Sequence, residues 1–197
     1  MQNPTIIYFS KIKLIKLVFI SAIAAGSGLW FLIAQPQIDA YLLNDIFVKN
    51  TLGVLCTAIG LFGFISFTVK IFTKNPAIVI AENGLRDNTS VIAIGFVPWS
   101  AMASITAKEI QVSAFSKQKF ISITVKNPDE FLQKQRNPFA RKMMQLNNKH
   151  YQSLISISCN GVQNSFDEVY QTITGFFDAY QLQHRDAERN QILQQEL

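Results

Sequence analysis

Residues 17–34 read LVFISAIAAGSGLWFLIA, and residues 51–69 read TLGVLCTAIGLFGFISFTV. Neither stretch contains Asp, Glu, Lys, Arg or His. At about 1.5 Å of rise per helical residue each would extend about 27–28 Å, close to the ~30 Å hydrocarbon core of a bilayer. Lipid offers the backbone no hydrogen-bond partners, so both stretches are predicted to be transmembrane helices. The alternative is a pair of buried core helices, which are usually shorter and amphipathic.

The composition of the whole chain is consistent with segments that contain no charged residues. Its 197 residues are 49% apolar and only 16% charged, with a formal net charge of +5 and a mean hydropathy of +0.18. A soluble domain usually carries about 25% charged residues. The apolar fraction excludes intrinsic disorder, and two cysteines are too few for a disulfide scaffold. Cys56 and Cys159 are interpreted as small apolar side chains rather than a redox pair.

A cleaved signal peptide is a second interpretation of the first stretch. The lysines that precede it would form the basic region of such a peptide. However, this 18-residue run is longer than the apolar region of a usual signal peptide. Leu32-Ile33-Ala34 is also a poor cleavage site. An uncleaved membrane anchor is therefore favoured.

Charged residues around the two stretches predict their orientation. Basic residues precede the first and follow the second, whereas the connector 35–50 has one lysine against two aspartates. The positive-inside rule then places both termini in the cytoplasm and the connector outside. That connector forms either an ordinary loop or a short interfacial helix, for which the apolar residues at helical spacing are Ile38, Tyr41, Leu42 and Ile46.

Small residues line one face of each predicted span, which lets membrane helices approach closely. The pairing is either within one chain, as a hairpin, or between chains of a homo-oligomer. The residues predicted to pack are Ser21, Ala25 and Gly28 in the first span and Gly53, Gly60 and Gly63 in the second.

From Asn75 onward the pattern changes to short alternating apolar runs, which predict strands at 77–81, 91–94, 104–112, 120–125 and 154–158. Turns are predicted at Asn83-Gly84 and at 116–119. Helices are predicted from Asn127, after Asn137-Pro138 through Asn147, and after a capping box formed by Ser165 and Glu168. The last helix carries an apolar stripe suited to packing on a sheet. The residues of that stripe are Phe166, Val169, Tyr170, Ile173, Phe177 and Tyr180.

These elements predict an α+β membrane protein, in which a two-helix transmembrane hairpin precedes a small β-barrel or curled antiparallel sheet with a C-terminal capping helix. The predicted domains are a membrane anchor at 1–74, a cytoplasmic domain at 75–181 and a polar tail at 182–197. The tail is either a solvated helical extension or a mobile segment.

Several segments also carry a family resemblance: Tyr8 to Lys11 with Lys13-Leu14, 75–80, 83–90, 95–99, 120–123 and 126–129. On these segments the chain resembles an uncharacterised family of small bacterial inner-membrane proteins. Members have two N-terminal transmembrane helices and a cytoplasmic pleckstrin-homology-like (PH-like) domain. The resemblance covers nearly the whole chain except its last fifteen or so residues. It implies this fold and a multi-pass location in the bacterial inner membrane, but no activity.

No catalytic or cofactor motif is present. His150 and His184 do not stand at metal-ligand spacing with other ligating residues. Phosphate-binding loops, dinucleotide fingerprints and nucleophile elbows do not occur. No enzymatic activity, metal or cofactor is therefore predicted.

The segment 117–149 is strongly basic, because eight Lys and Arg against two acids give +6. In the helix after Pro138, the residues Phe139, Met143 and Leu146 share a face. Such a helix would bind anionic lipid headgroups or a membrane protein partner, the alternative being a solvated face above a packed helix. Nucleic acid is not a predicted partner, because no interleaved aromatic platform occurs. The candidate surface residues are Lys134, Arg136, Arg141, Lys142 and Lys149.

The predicted function is a membrane-anchored, non-enzymatic adaptor or scaffold that presents the PH-like module at the cytoplasmic face of the bilayer. Two alternatives remain open at this point: an immunity protein against a membrane-acting bacterial toxin, and an accessory subunit of a larger membrane complex.

Overall fold

The structure is a computed structural model, which describes residues 3–37, 45–90, 95–113 and 116–195. The chain divides into two compact units. One is Phe9–Lys74, and the other joins Met1–Tyr8 to Asn75–Leu197. The predicted membrane anchor comprises residues 1–74. In the structure the first eight residues group with the second unit instead.

The first unit is a pair of helices, α1 (Lys11–Ala34) and α2 (Ile46–Phe72). The side chains of Ser10 and Asp45 cap their N-termini by accepting backbone N–H groups of the first turn. Both helices extend beyond the charge-free stretches that they contain, and both are long and apolar enough to cross a membrane. The connector residues 38–44, where an interfacial helix was one expectation, lie outside the described residues.

Contacts at both ends make this pair antiparallel. At one end the Lys70 ammonium lies 5.4 Å from the centroid of the Phe9 ring. At the other end the Gln35 side chain donates to the Asn50 side-chain oxygen at 3.2 Å. The structure thus pairs α1 with α2 inside one chain.

The second unit contains two antiparallel sheets, of order β1-β2-β3-β4 and β5-β6-β7. The strands of the first are Thr5–Ile7, Ile78–Ala81, Gly84–Asp87 and Gly95–Pro98. Those of the second are Met102–Ser113, Ser116–Val125 and Ile155–Ser158. A 3₁₀ turn, Trp99–Ala101, joins β4 to β5. Among the described strands the two sheets stay separate and no barrel closes.

Strand β1 lies before the two helices in the sequence, yet it pairs with β2, which follows them. Thr5 pairs with Ile80 and Ile7 with Ile78, and the Ala77 N–H donates to the Ile7 carbonyl at 2.8 Å. The sequence analysis did not predict this strand, because three residues are too few to show an alternating pattern. The first sheet therefore combines one strand that precedes the two helices in the sequence with three strands that follow them.

The predicted turn at 116–119 is wrong, because these residues begin β6. Lys117 pairs with Gln111 and Lys119 pairs with Glu109 in the β5–β6 register. The Lys117 ammonium also lies 3.9 Å from the Glu109 carboxylate, so opposite charges face each other across this hairpin. The strand expected at 91–94 lies outside the described residues.

Three helices complete the second unit: α3 (Pro128–Lys134), α4 (Pro138–Tyr151) and α5 (Phe166–Gln195). At the start of α5, the Glu168 N–H donates to the Ser165 hydroxyl at 3.3 Å, and the Ser165 N–H donates to the Glu168 carboxylate at 3.0 Å. Residues 182–195 continue α5 as a helix. Of the two expectations for the tail, this is the helical extension.

The core of this unit lies around Trp99, which is almost fully buried. Its indole N–H donates to the Ala81 carbonyl at 2.9 Å, and its ring lies 6.0 Å from that of Phe177 on α5. Val169 and Ile173, at helical spacing from Phe177, are also fully buried. This α+β unit is thus two antiparallel sheets with a C-terminal helix that contributes a buried apolar face.

Candidate binding surface

Local sequence features determine where α3 and α4 begin and how the turn between them is bonded. Each begins with a proline in its first turn, and Asn137 caps α4 by accepting the N–H groups of Phe139 and Ala140 at 3.0 and 3.3 Å. The Arg141 guanidinium donates twice to the Gln135 carbonyl, at 3.1 and 2.7 Å. It thereby satisfies a carbonyl just beyond the end of α3.

The C-terminal end of α4 is held against the second sheet. Thr124 donates its hydroxyl to the Gln152 carbonyl at 3.1 Å, and the Lys108 ammonium donates to the Tyr151 carbonyl. Both contacts join α4 to strands of the β5-β6-β7 sheet, so the helix has a defined orientation on this unit.

The side of α4 that packs is not the side with the large apolar residues. The buried residues are Ala140 and Met144, whereas Phe139 is 59% exposed and Leu146 is 41% exposed. Ala140 is small and Met144 is flexible, so this side of the helix packs closely.

The exposed side combines apolar and basic groups. Phe139, Lys142, Leu146 and Lys149 stand at positions i, i+3, i+7 and i+10 and therefore share one face of the helix. All four are exposed. This set is called the α4 face below. The sequence analysis already grouped Phe139 and Leu146 on one face, together with Met143. It did not add Lys142 and Lys149 to that face, although the three- and four-residue spacing of the four positions was a usable signal.

The five basic residues predicted as a surface fall into two groups. Lys134 donates to the Glu130 carboxylate at 2.6 Å, and Arg141 is held by the Gln135 carbonyl. The charged groups of Arg136, Lys142 and Lys149 make no hydrogen bond or ion pair within the part of the chain that the structure describes. Two of those three residues belong to the α4 face.

A shallow cleft of about 590 Å³ lies between α3, β4 and the 3₁₀ turn. Its lining includes the apolar residues Phe96, Pro98 and Phe131 and the basic residues Lys126 and Lys134. Since Lys134 is already paired with Glu130, the cleft offers less uncompensated charge than the α4 face.

The residues predicted for helix packing lie where α1 meets α2. A Cβ atom added to Gly53 would lie 2.7 Å from the Leu32 side chain, and one added to Gly63 would lie 2.6 Å from the Ser21 hydroxyl oxygen. Gly60 packs on the backbone of Ala25. Ser21, Ala25, Gly28, Gly53, Gly60 and Gly63 thus all stand at this contact.

No family model, curated protein or solved structure matches this chain. Within the described ranges, no three His, Cys, Asp or Glu side chains come together as a set of metal ligands. Cys56 is exposed on α2 and Cys159 is buried. The α4 face is the strongest candidate binding surface in this geometry.

Proposed function

We propose that the protein is a non-enzymatic adaptor or scaffold anchored in the bacterial inner membrane. α1 and α2 cross the bilayer as a hairpin with both termini in the cytoplasm. The sheet-and-helix unit is a PH-like module at the cytoplasmic face, and its α4 face is the surface that binds.

The exposure of both helices carries this proposal. Only 17% of the most apolar window of α1 and 11% of that of α2 are buried. Side chains such as Phe19, Ile33, Phe47 and Phe72 are each more than two-thirds exposed. Each large apolar side chain left in water forgoes about 1.5–3 kcal/mol of burial free energy, whereas lipid surrounds it without that cost. A core helix of a soluble protein would be mostly covered.

Strand β1 supports an anchor over a cleaved leader. Cleavage after α1 would remove the three residues that pair with β2, together with the buried Ile7 side chain. The sheet would then have an unpaired edge at β2. An uncleaved α1 keeps this pairing intact.

The order of elements supports the PH-like part of the proposal. Four antiparallel strands are followed by three more, and the long helix α5 comes last and buries Val169, Ile173 and Phe177. This is the order expected of a curled sheet with a C-terminal capping helix. The basic residues that flank the two helices support a cytoplasmic position for this unit.

Labelling of single cysteines tests the anchor and its orientation. In a Cys56→Ala, Cys159→Ala background, cysteine is introduced at exposed Gln37 after α1 or at exposed Gln171 on α5. A membrane-impermeant maleimide should label Gln37→Cys in spheroplasts, and Gln171→Cys only after lysis. The reverse pattern would overturn the orientation, and release of the chain by an alkaline carbonate wash would overturn the anchor.

Purification in mild detergent tests the adaptor role. The wild-type chain should retain a protein or anionic lipid at a fixed ratio, and a variant with Lys142 and Lys149 changed to glutamine should lose it. A matched variant with Arg185 and Arg189 changed to glutamine, both exposed on α5, should retain it. Equal retention by all three chains would contradict binding through the α4 face.

A further inference from the structure

The α4 face has the composition of a surface that lies in a lipid–water interface. Two large exposed apolar side chains, Phe139 and Leu146, alternate with two lysines along one side of the helix. Helices that lie on membranes carry bulky apolar residues to insert and lysines to contact headgroups. The long lysine side chains can extend past the apolar groups while their ammonium groups stay in water.

The stretch of chain around this face carries more basic than acidic residues, although one of its lysines, Lys134, is paired with Glu130. From Phe131 to Phe166 the sequence contains no Asp or Glu, while it contains five Lys and Arg. Lys142 and Lys149 are exposed and form no ion pair with any described residue, so their charges remain available to an anionic partner. The surface is therefore complementary in charge to an anionic leaflet.

The opposite side of α4 is fixed, so the face is already formed before anything binds. Ala140 and Met144 are buried, Asn137 caps the first turn, and Thr124 bonds to the residue that ends the helix. An interfacial helix that is unfolded in water must lose conformational entropy when it binds, whereas this one does not.

The covalent connectors keep the unit near the membrane. Residues 8–10 join β1 to α1, and residues 73–77 join α2 to β2. At about 3.5 Å per residue, connectors of three and five residues extend no further than about 10 and 18 Å. A bilayer that holds α1 and α2 is therefore present at high effective concentration, which no separate protein partner would be.

We infer that the α4 face docks on anionic phospholipid headgroups of the membrane that holds α1 and α2, with Phe139 and Leu146 in the headgroup layer and Lys142 and Lys149 on the phosphates. This inference rests on the proposed function, because it requires the two helices to be in the bilayer. It goes further by naming the occupant of the surface as lipid and not protein.

The test uses the full chain, free of other cysteines, in nanodiscs of phosphatidylcholine alone or mixed with phosphatidylglycerol. A nitrobenzoxadiazole label at Leu146→Cys reports whether α4 is in water or lipid, and the same label at Gln171→Cys on α5 is the control. We expect the Leu146→Cys label to shift to the blue and to be protected from iodide only in anionic nanodiscs. The control label should not change.

Neutralising the two lysines measures how much their charges contribute to docking. At about 1 kcal/mol per basic residue near an anionic leaflet and about 1.4 kcal/mol per factor of ten, Lys142→Gln with Lys149→Gln should lower the ratio of docked to undocked chains about thirtyfold. Arg185→Gln with Arg189→Gln removes the same charge from α5 and should leave the ratio unchanged. Raised salt should act like the lysine variant, since it screens exposed charges.

Three results would overturn the inference. One is a label that stays in water in anionic nanodiscs, although the chain co-elutes with them. Another is a blue shift that is equal with and without phosphatidylglycerol, which would indicate contact with a second copy of the chain. The third is equal docking by the lysine variant and its α5 control. A chain that does not enter nanodiscs at all would instead overturn the proposed function.

Discussion

Gly28 of α1 lies directly against Gly53 of α2. A Cβ atom on Gly28 would stand 2.7 Å from the Gly53 carbonyl oxygen and 2.5 Å from the backbone nitrogen of Thr57. Both are backbone atoms, which cannot turn aside as a flexible side chain can. The two helices can approach this closely only because hydrogen atoms occupy these positions.

Gly28→Ala should therefore weaken the helix pair by about 1–3 kcal/mol, as overpacking of a close contact does. Gly26 is a matched control on the same helix, because an added Cβ there meets nothing within 4 Å. The measurement is disulfide formation between Gln35→Cys and Asn50→Cys, whose native side chains are bonded at 3.2 Å, as SDS is titrated into mild detergent. Equal SDS midpoints for the Gly28 and Gly26 variants would contradict the close contact.

The strand before the helices should contribute strongly to the stability of the sheet. Ile7 is 3% exposed and Ile6 is 47% exposed. Ile7→Ala should lower the free energy of unfolding of the second unit by about 2–5 kcal/mol through lost burial and a new cavity. Ile6→Ala should cost much less. Urea unfolding in nanodiscs, followed by Trp99 fluorescence in a Trp30→Phe background, distinguishes the two; similar losses would argue against β1 as part of this core.

The buried Trp99 indole should contribute to stability through both its hydrogen bond and its packing. Trp99→Phe keeps an aromatic ring near Phe177 but leaves the partly buried Ala81 carbonyl without the indole donor. A buried group without its partner costs about 1–3 kcal/mol, so the thermal midpoint by circular dichroism should fall. Trp30→Phe, at an exposed position on α1, should leave that midpoint nearly unchanged. An unchanged midpoint for Trp99→Phe would show that this bond contributes little.

The cap of α4 should control how firmly the α4 face is held. Asn137→Ala removes the acceptor for two N–H groups, which costs about 1 kcal/mol and should speed amide exchange in the first turn about fivefold. Asn137→Ser retains a capping oxygen and should exchange like the wild type. Neither variant changes the charge of the surface, so reduced docking by the alanine variant alone would result from loss of helix order.

The long apolar helices and strand β1, which precedes them, differ in how far the sequence predicts them. A run of about twenty residues without charge is a local property, so the stretches within α1 and α2 are visible in the sequence. Strand β1 has only three residues, and its partner β2 lies on the far side of both helices. Its role depends on a long-range pairing that a local pattern does not contain. The arrangement of the two sheets, which do not close, depends on similar long-range contacts.

The candidate surface, too, is only partly predictable from the sequence. The excess of positive charge in 117–149 is read directly from the sequence. The ion pair between Lys134 and Glu130 follows from their four-residue spacing on a helix. The engagement of Arg141 by the Gln135 carbonyl requires the turn between α3 and α4, which only the structure supplies. Likewise, Ala140 and Met144 are the buried residues of α4 because that side of the helix faces the sheet, which the local sequence does not show.

If α1 and α2 cross a bilayer, as proposed, the pairing of β1 with β2 has a consequence for biogenesis. Residues 5–7 leave the ribosome before residues 78–81, and the two segments can pair only after the later one has been made. If only one helix inserted, or if α1 entered and α2 did not return, these two segments would be separated by the bilayer. The sheet can then be completed only when the hairpin has the correct number of crossings. Its completion would therefore depend on correct insertion, and a misinserted chain would have an unpaired β2 edge.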